Sequence, residues 1–304
     1  MKTFRSNGKL LITGEYTVLD NALALAIPTK FGQALEVKGI QENTVNWKAY
    51  KHDEKLWFSA NLKIADVKSG QKIELKTKEE TRLLEILQVA NTLNPDILNT
   101  NTGFEVITKL EFPQNWGLGS SSTLINNIAL WFGVDAYKLL SSTFKGSGYD
   151  IAAANSNYPI TYQLTKTGRS ILTSNFNPEF KDQLFFVHLN QKQNSRESMA
   201  HYKAQPKESL VSDIEKISAL TRSFVNCETL EEFKLLMEIH ETLISKLINT
   251  PKIKTQLFSD FNGSIKSLGG WGGDFIMATG GIDEQEYFRN KGYNTILTYS
   301  EMAL

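Results

Sequence analysis

The chain has 304 residues, 41% hydrophobic and 22% charged, which is the composition of a soluble globular protein with room for one large or two medium domains. Its 33 Lys and Arg balance 33 Asp and Glu, so no global charge draws it to nucleic acid or to an anionic membrane, although a local cluster of cations would still hold a small anion. The single Cys227 excludes an intrachain disulfide and a multi-cysteine metal centre, and it reads as a small buried hydrophobe.

The first residues carry no signal-peptide pattern, and no run approaches the ~20 apolar residues that cross a bilayer, so a soluble, cytoplasmic protein is expected. "KLLITGEYTVL" reads as strand, turn, strand. Asn21 to Pro28 is apolar and fits helix or strand; Pro28 biases Ile27 away from the helical region and favours the extended form. From Gln33 to Val67 apolar and polar residues alternate, which predicts strands and hairpins with a charged outer face. Thr77, followed by Glu80, predicts a capped helix with an apolar face through Leu83, Leu84, Leu87 and Val89. "GFEVITKLEF" predicts a strand.

The next stretch, "FPQNWGLGSSSTLINNIALWFG", sets Gly117, Gly119 and Ser120 to Ser122 directly before a helical apolar pattern. It reads either as a Gly/Ser-capped helix or as a phosphate cradle. A helix start leaves ~4 backbone amides without intrahelical partners and carries partial positive charge. Small residues let a phosphate approach those amides, and hydroxyls add donors. The Walker A ending is absent. "DAYKLLSSTF" continues in helical or turn-rich fashion. "KGSGYDIAAANSN" is a second Gly/Ser loop, and it leads into Asp150, which fits a helix cap or a catalytic carboxylate. "YPITYQLTKTG" predicts strands. Residues 166–180 are polar and turn-rich, and a second domain is expected to begin there, giving domains 1–170 and 171–304.

The second half opens on the strand "DQLFFVHL" and the polar loop "NQKQNSRESM". Amphipathic helices follow around 205–226 and 228–249. The latter carries Phe233, Leu236, Met237, His240, Leu243 and Leu247 at helical spacing, so His240 is expected to pack rather than to ligate. "KTQLFSDFNGS" is helix or turn, "IKSLGGWGGDFIMAT" strand, glycine loop and strand, "DEQEYFRNKG" a short helix and "YNTILTYS" a final strand. The succession of helices between short strands predicts an α+β protein.

Four of these stretches, in order, resemble motifs of the GHMP kinases. "NGKLLITGEYTVL" is similar to the first, PGK(L/V)xLxGEYxVL, with Asn7 in place of proline. "GLGSSSTL" is similar to the second, PxxxGLGSSAA. "GSGYDIAAA" resembles the GSGFDVAAA stretch of phosphomevalonate kinases. "IKSLGGWGGDFIMA" resembles the third motif, SGAGGGD before a strand. The resemblance spans nearly the whole chain and is closest to the phosphomevalonate and mevalonate kinases, including a bacterial subgroup with the GYDIA wording. It implies a two-domain α+β fold, with a ribosomal-protein-S5-like (domain 2-like) N-terminal domain and a ferredoxin-like C-terminal one.

The resemblance also implies ATP-dependent phosphorylation of a small metabolite, with phosphomevalonate as the first candidate. Mevalonate, another small molecule, or nucleotide binding without catalysis are the alternatives. Asp150 and Lys9 fall at the catalytic positions. Gly117, Gly119, Ser120, Ser121 and Ser122 fall at the nucleotide phosphates, with Ser121 also at Mg2+. Leu139 stands where mevalonate kinases add a metal-binding glutamate, so either phosphates, Ser121 and water hold Mg2+ or the alignment differs there. Glu15, Ser147, Gly148, Lys192, Ser195, Arg196, Gly270 and Trp271 fall on the substrate side. Lys192 and Arg196 suit an anionic substrate, Arg by its bidentate geometry. Trp271 replaces a glycine and is expected either to pack or to narrow the substrate site. The partners expected are small molecules, with neither nucleic acid nor membrane, and the protein is expected as monomer or homodimer.

Overall fold

The structure, a computed structural model, describes residues 1–99, 102–206 and 209–304, with the side chains of Ser195 and Arg196 outside the description. The chain packs as two compact units, and each gathers several stretches. The first takes Met1–Gly8, Phe31–Gln114 and Gly119–Asn155; the second takes Lys9–Lys30, Asn115–Leu118 and Ser156–Leu304. The boundary expected at residues 170 and 171 falls inside a strand of the second unit.

The first unit receives the start of β1 (Lys2–Thr13) and the end of β2 (Ala24–Ile40). It continues through β3 (Thr44–Tyr50), β4 (Leu56–Lys63), α1 (Ile64–Ser69), α2 (Lys78–Leu93) and β5 (Gly103–Leu110), then α3 (Ser120–Phe132), α4 (Ala136–Thr143) and α5 (Tyr149–Ala154). Its strand order is β4-β3-β5-β2. β3 pairs β5 in parallel with Trp47 opposite Val106, and β5 pairs β2 antiparallel with Val106 opposite Val37. Val45, Trp47 and Ala49 point to one face because strand side chains alternate. They meet Leu83, Leu84 and Leu87 of α2 and Ile125, Ile128 and Phe132 of α3 in one core that also takes Leu139 and Ile151. The expected cap of α2 is present: the Glu80 amide donates to the Thr77 hydroxyl at 3.1 Å.

Polar residues on the buried side of α3 fix its position. Asn127 donates to the Gln33 carbonyl at 2.8 Å, the Thr123 hydroxyl to the Gln33 side chain at 2.8 Å, and Asn126 to the Ser6 hydroxyl at 2.9 Å. Buried amides and hydroxyls persist only when paired, so these bonds set where the helix can sit on β1 and β2.

The second unit opens with the end of β1, a turn, a 3-10 helix (Thr17–Asp20) and the start of β2, which pairs β6 (Ile160–Thr165). β7 (Gly168–Thr173) pairs β6 as a hairpin. There follow β8 (Leu184–His188), α6 (Ser195–Lys203), α7 (Leu210–Asn226), α8 (Leu230–Leu247) and α9 (Ile253–Leu257). The chain ends with β9 (Ile265–Ser267), β10 (Phe275–Thr279), α10 (Ile282–Asn290), β11 (Ile296–Thr298) and α11 (Tyr299–Met302). The sheet order β11-β8-β10-β9 is antiparallel at each pairing. Every residue of β8 and β10 is buried, as in a sheet covered on both faces. Phe185 meets Phe288 edge-on, while its neighbour Phe186 stacks on Tyr299.

Three expectations are corrected. The second strand of "KLLITGEYTVL" is instead the 3-10 helix, because the amides of Val18 and Leu19 turn back to the carbonyls of Gly14 and Tyr16 at 2.9 and 3.0 Å. β7 lies in the interval read as turn-rich; its side chains are almost all exposed, so it shows no apolar alternation. α6 begins inside the polar loop and buries Tyr202, too little to leave a helical pattern. Among the described residues, no helix is long and apolar enough to cross a membrane.

Candidate active site

α3 begins at Ser120 with Gly119 as its N-cap, in the left-handed region at φ 92°. Glycine brings no side chain to cap the helix, so the first-turn amides keep their direction toward an incoming anion. The three serines differ. Ser121 is exposed and Ser120 half-buried, whereas Ser122 is buried and donates its hydroxyl to the Gly119 carbonyl at 2.8 Å. The Ser122 hydroxyl therefore shapes the turn from within.

The stretch leading to this helix is held from the second unit's own residues. The backbone amide of Lys9 donates to the Leu118 carbonyl at 3.0 Å, and its ammonium donates to the Gly117 carbonyl at 2.7 Å. His188, at the end of β8, meets the Asn115 carbonyl through Nε2 at 2.9 Å while Nδ1 accepts the Asn190 amide at 3.2 Å. Those partners fix the imidazole tautomer, with the hydrogen on Nε2. Trp116 packs edge-on against Phe275 of β10.

Asp274, which ends the third glycine loop, lies against Gly117. A Cβ on Gly117 would fall 2.3 Å from the Asp274 carboxyl carbon, and φ there is 67°, so both space and conformation require glycine. Burial pushes the Asp274 carboxyl up from the usual carboxylate range; the Gln193 amide, which donates to Oδ1 at 3.1 Å, and the charges of Lys9 and Lys192 oppose that shift. Lys192 itself is exposed. Ser195 and Arg196 open α6, and their side chains lie outside the description.

The glycine loop between β9 and β10 is covered by Gln193. A Cβ on Gly270 would stand 2.7 Å from the Gln193 Cβ, and one on Gly273 would stand 2.7 Å from its Cγ. Gly270 thus serves a close approach by this chain's own side chain. Trp271 packs: it is 6% exposed and joins Ala22, Tyr202, Ile217, Ile244 and Ile248 in one apolar cluster, with Tyr16 alongside. Its amide donates to the Tyr16 hydroxyl at 3.1 Å. Of the two uses expected for Trp271, the core role is the one its surroundings serve.

Glu15 is fully buried and ion-paired with Lys266 of β9. Ser147 and Gly148 are buried at the entry to α5, and Asp150 is half-buried in that helix's first turn. Its Oδ1 accepts the Ile151 amide at 3.0 Å. α3 and α5 pack together through Ile125, Ile128 and Ile151. Leu139 is 0% exposed in the same core, so the expected glutamate position is filled by packing. Among the described residues, no group of three or more His, Cys, Asp and Glu is arranged to hold a metal ion.

Sequence reasoning missed His188, Gln193 and the Glu15–Lys266 pair. A lysine in an otherwise apolar strand and a run of glycines were the signals available, since a buried cation needs a partner and an emptied loop needs something to fill it.

The donor set fits the phosphates of a nucleotide: uncapped amides and the hydroxyls of Ser120 and Ser121 at the start of α3. It fits Mg2+ only as a contributor of the Ser121 hydroxyl beside phosphate oxygens.

No family model matches the chain, and no curated protein does. Solved structures do. The mevalonate kinase of Methanococcus jannaschii matches with a TM-score of 0.71 at 17% identity, covering 100% of this chain and 98% of that one. The phosphomevalonate kinase of Streptococcus pneumoniae, in complex with phosphomevalonate and AMPPNP, matches at 0.70 and 16% identity, covering 98% and 100%. The galactokinase of Lactococcus lactis complexed with galactose matches at 0.65 and 13% identity, covering 98% and 92%. The chain shares the mixed α/β fold of these structures.

Proposed function

We propose that this chain is an ATP-dependent small-molecule kinase of the GHMP superfamily, with phosphomevalonate as the leading acceptor and diphosphomevalonate as the product. The observation that carries the reading is the uncapped start of α3 after Gly117 and Gly119, with the Lys9 ammonium bonded to the Gly117 carbonyl. Phosphoryl transfer asks the protein for positioning and charge stabilisation more than for covalent chemistry, and this is a set of aimed donors. The domain names follow the same reading. In the second unit β8, β9, β10 and β11 follow a β-α-β-β-α-β course and lie in the order fourth, first, third, second, which supports a ferredoxin-like domain. In this proposal an S5-like domain spans residues 1–170 and the ferredoxin-like domain residues 171–304.

In the proposed reaction the acceptor oxygen forms a bond to the γ-phosphorus as the bond to the β-bridging oxygen breaks. The α3 amides with Ser120 and Ser121 hold the phosphate oxygens, and Lys9 offsets the charge that spreads over them. Mg2+, when bound beside Ser121, would neutralise further phosphate charge. Asp150 orients the acceptor. A phosphate acceptor is already ionised, so Asp150 then takes no proton; with a hydroxyl acceptor the proton passes to its carboxylate. Lys192 and Arg196 bind the substrate's anionic group.

A second reading, a family member that binds nucleotide without transfer, is favoured by Leu139 in the core where a metal-binding carboxylate is expected. Purified protein with Mg·ATP, offered mevalonate, phosphomevalonate and galactose while ADP release is followed, separates the two. Turnover fastest on phosphomevalonate is expected. Intact ATP binding with no turnover on any acceptor would favour the second reading.

A further inference from the structure

Four ionisable side chains stand fully buried together in the second unit: Glu15 in the turn after β1, His240 and Glu241 on α8, and Lys266 on β9. Lys266 pairs with Glu15 and lies 3.8 Å from Glu241. Its ammonium also donates to the Ser267 carbonyl at 3.1 Å. Glu241 receives the Ser267 amide on Oε1 and the Ser267 hydroxyl on Oε2, each at 3.1 Å. His240 Nε2 accepts the Gly14 amide at 3.2 Å and stands 3.3 Å from Glu15 Oε2. From α7 the neutral ring of Phe224 meets the imidazole edge-on.

This arrangement reaches two segments of the candidate site at once. Gly14 and Glu15 begin the turn that follows the Lys9 strand, and Ser267 is the last residue of β9 before the Gly269–Gly273 loop and Asp274. α8 touches both through adjacent residues. Such a buried network is costly to break at any one point, because each donor left unmet loses water without regaining a partner. We infer that His240 and Glu241 are positioning residues, which lock the turn at Gly14 and Glu15 to the glycine loop after Ser267 through the Glu15–Lys266 ion pair. The consequence for catalysis rests on the kinase reading; the coupling between the two segments does not.

Charge balance supports the assignment. Burial drives Glu241 up to about 8, with Lys266 opposing and Glu15 adding to the shift, so near neutrality it carries a proton. Burial, then the charge of Lys266, holds His240 neutral, as its acceptance of an amide hydrogen also requires. Glu15 and Lys266 then balance each other. The Ser267 hydroxyl both donates and accepts, so its bond to Glu241 survives in either protonation state.

Hydrogen exchange on the full chain without substrates tests the coupling, using peptides that cover residues 13–22 and 264–275. Glu241→Ala removes both partners of Ser267 and is expected to speed exchange in both segments by about tenfold or more, the effect of leaving buried donors unmet. Glu241→Gln, which keeps an acceptor for the amide and a donor for the hydroxyl, is expected to stay near wild type. Acceleration confined to residues 264–275, or spread evenly over the chain, would overturn the inference. Should Glu241→Ala not fold, Ser267→Ala reads the same coupling from its other end: residues 13–22 must loosen although nothing in them has changed, and an unchanged turn overturns it. In turnover assays the wild type is expected to decline on the alkaline side with a midpoint near 8, and Glu241→Gln to lose that decline while keeping kcat at neutral pH. A wild-type profile lacking the decline refutes the catalytic role. Absence of turnover in the wild type refutes the kinase reading alone, since exchange decides the coupling by itself.

Discussion

Asp150, Gly117 and Trp271 carry the account at the scale of single residues. Asp150→Asn keeps the side chain's shape and removes its charge; kcat is expected to fall by about 100-fold or more, as for loss of a group that orients the acceptor. ATP affinity should stay within a few-fold, since binding rests on α3. A kcat within a few-fold of wild type would assign Asp150 to capping α5. Gly117→Ala drives a methyl into the Asp274 carboxyl, 2.3 Å from its carbon, at a positive φ. A stability loss of about 1–3 kcal/mol is expected, read by denaturant unfolding. Trp271→Ala opens a cavity beneath the glycine loop and should cost about 3–5 kcal/mol. A raised KM with unchanged unfolding would instead place Trp271 against the substrate. The sequence marks Trp271 as anomalous but leaves its direction open, because Ile217, Ile244 and Ile248 that receive it lie on distant elements. It marks Lys9 and Gly117 through motif spacing alone; the bond between them depends on a fold that returns residue 117 to residue 9.

At the scale of elements, α8 ties stability to pH. Glu241 has an ordinary value of 4.5 and is raised to about 8 in the folded protein, so it stabilises fully below 4.5 and loses that contribution as pH rises toward 8. His240, depressed below its ordinary 6.5, acts in the opposite sense and withdraws its contribution as pH falls through that range. The two trends oppose each other between 4.5 and 6.5, and between 6.5 and 8 the loss from Glu241 stands. Stability measured by urea unfolding is therefore expected to fall from pH 6.5 to 8, and Glu241→Gln to shallow that slope by up to about 1.4 kcal/mol per pH unit. An identical slope in the variant would contradict the protonated state of Glu241. The apolar periodicity of α2, α3 and α8 is plain in the sequence because each buries a broad stripe. β7 and α6 escape because neither buries one, and the 3-10 helix at Thr17 escapes because its backbone bonds, not its side chains, decide it.

On the scale of the whole molecule, the mixed α/β fold was legible from four short motifs, even though the solved structures that share it are only 13–17% identical to the chain. The division into compact units was not, because Lys9–Lys30 and Asn115–Leu118 pack with residues far along the chain and no change of composition marks where they cross. The glycine loop packs over a buried Trp271 and under Gln193, and Leu139 fills the core of the first unit. The decisive measurement follows γ-labelled phosphate from Mg·ATP in the presence of phosphomevalonate, with Asp150→Asn as the paired control. The account requires label to appear in the diphosphorylated acceptor with the wild type and to be nearly lost with the variant, both proteins binding ATP alike. ATP bound by the wild type with no label passed to phosphomevalonate, mevalonate or galactose would contradict it.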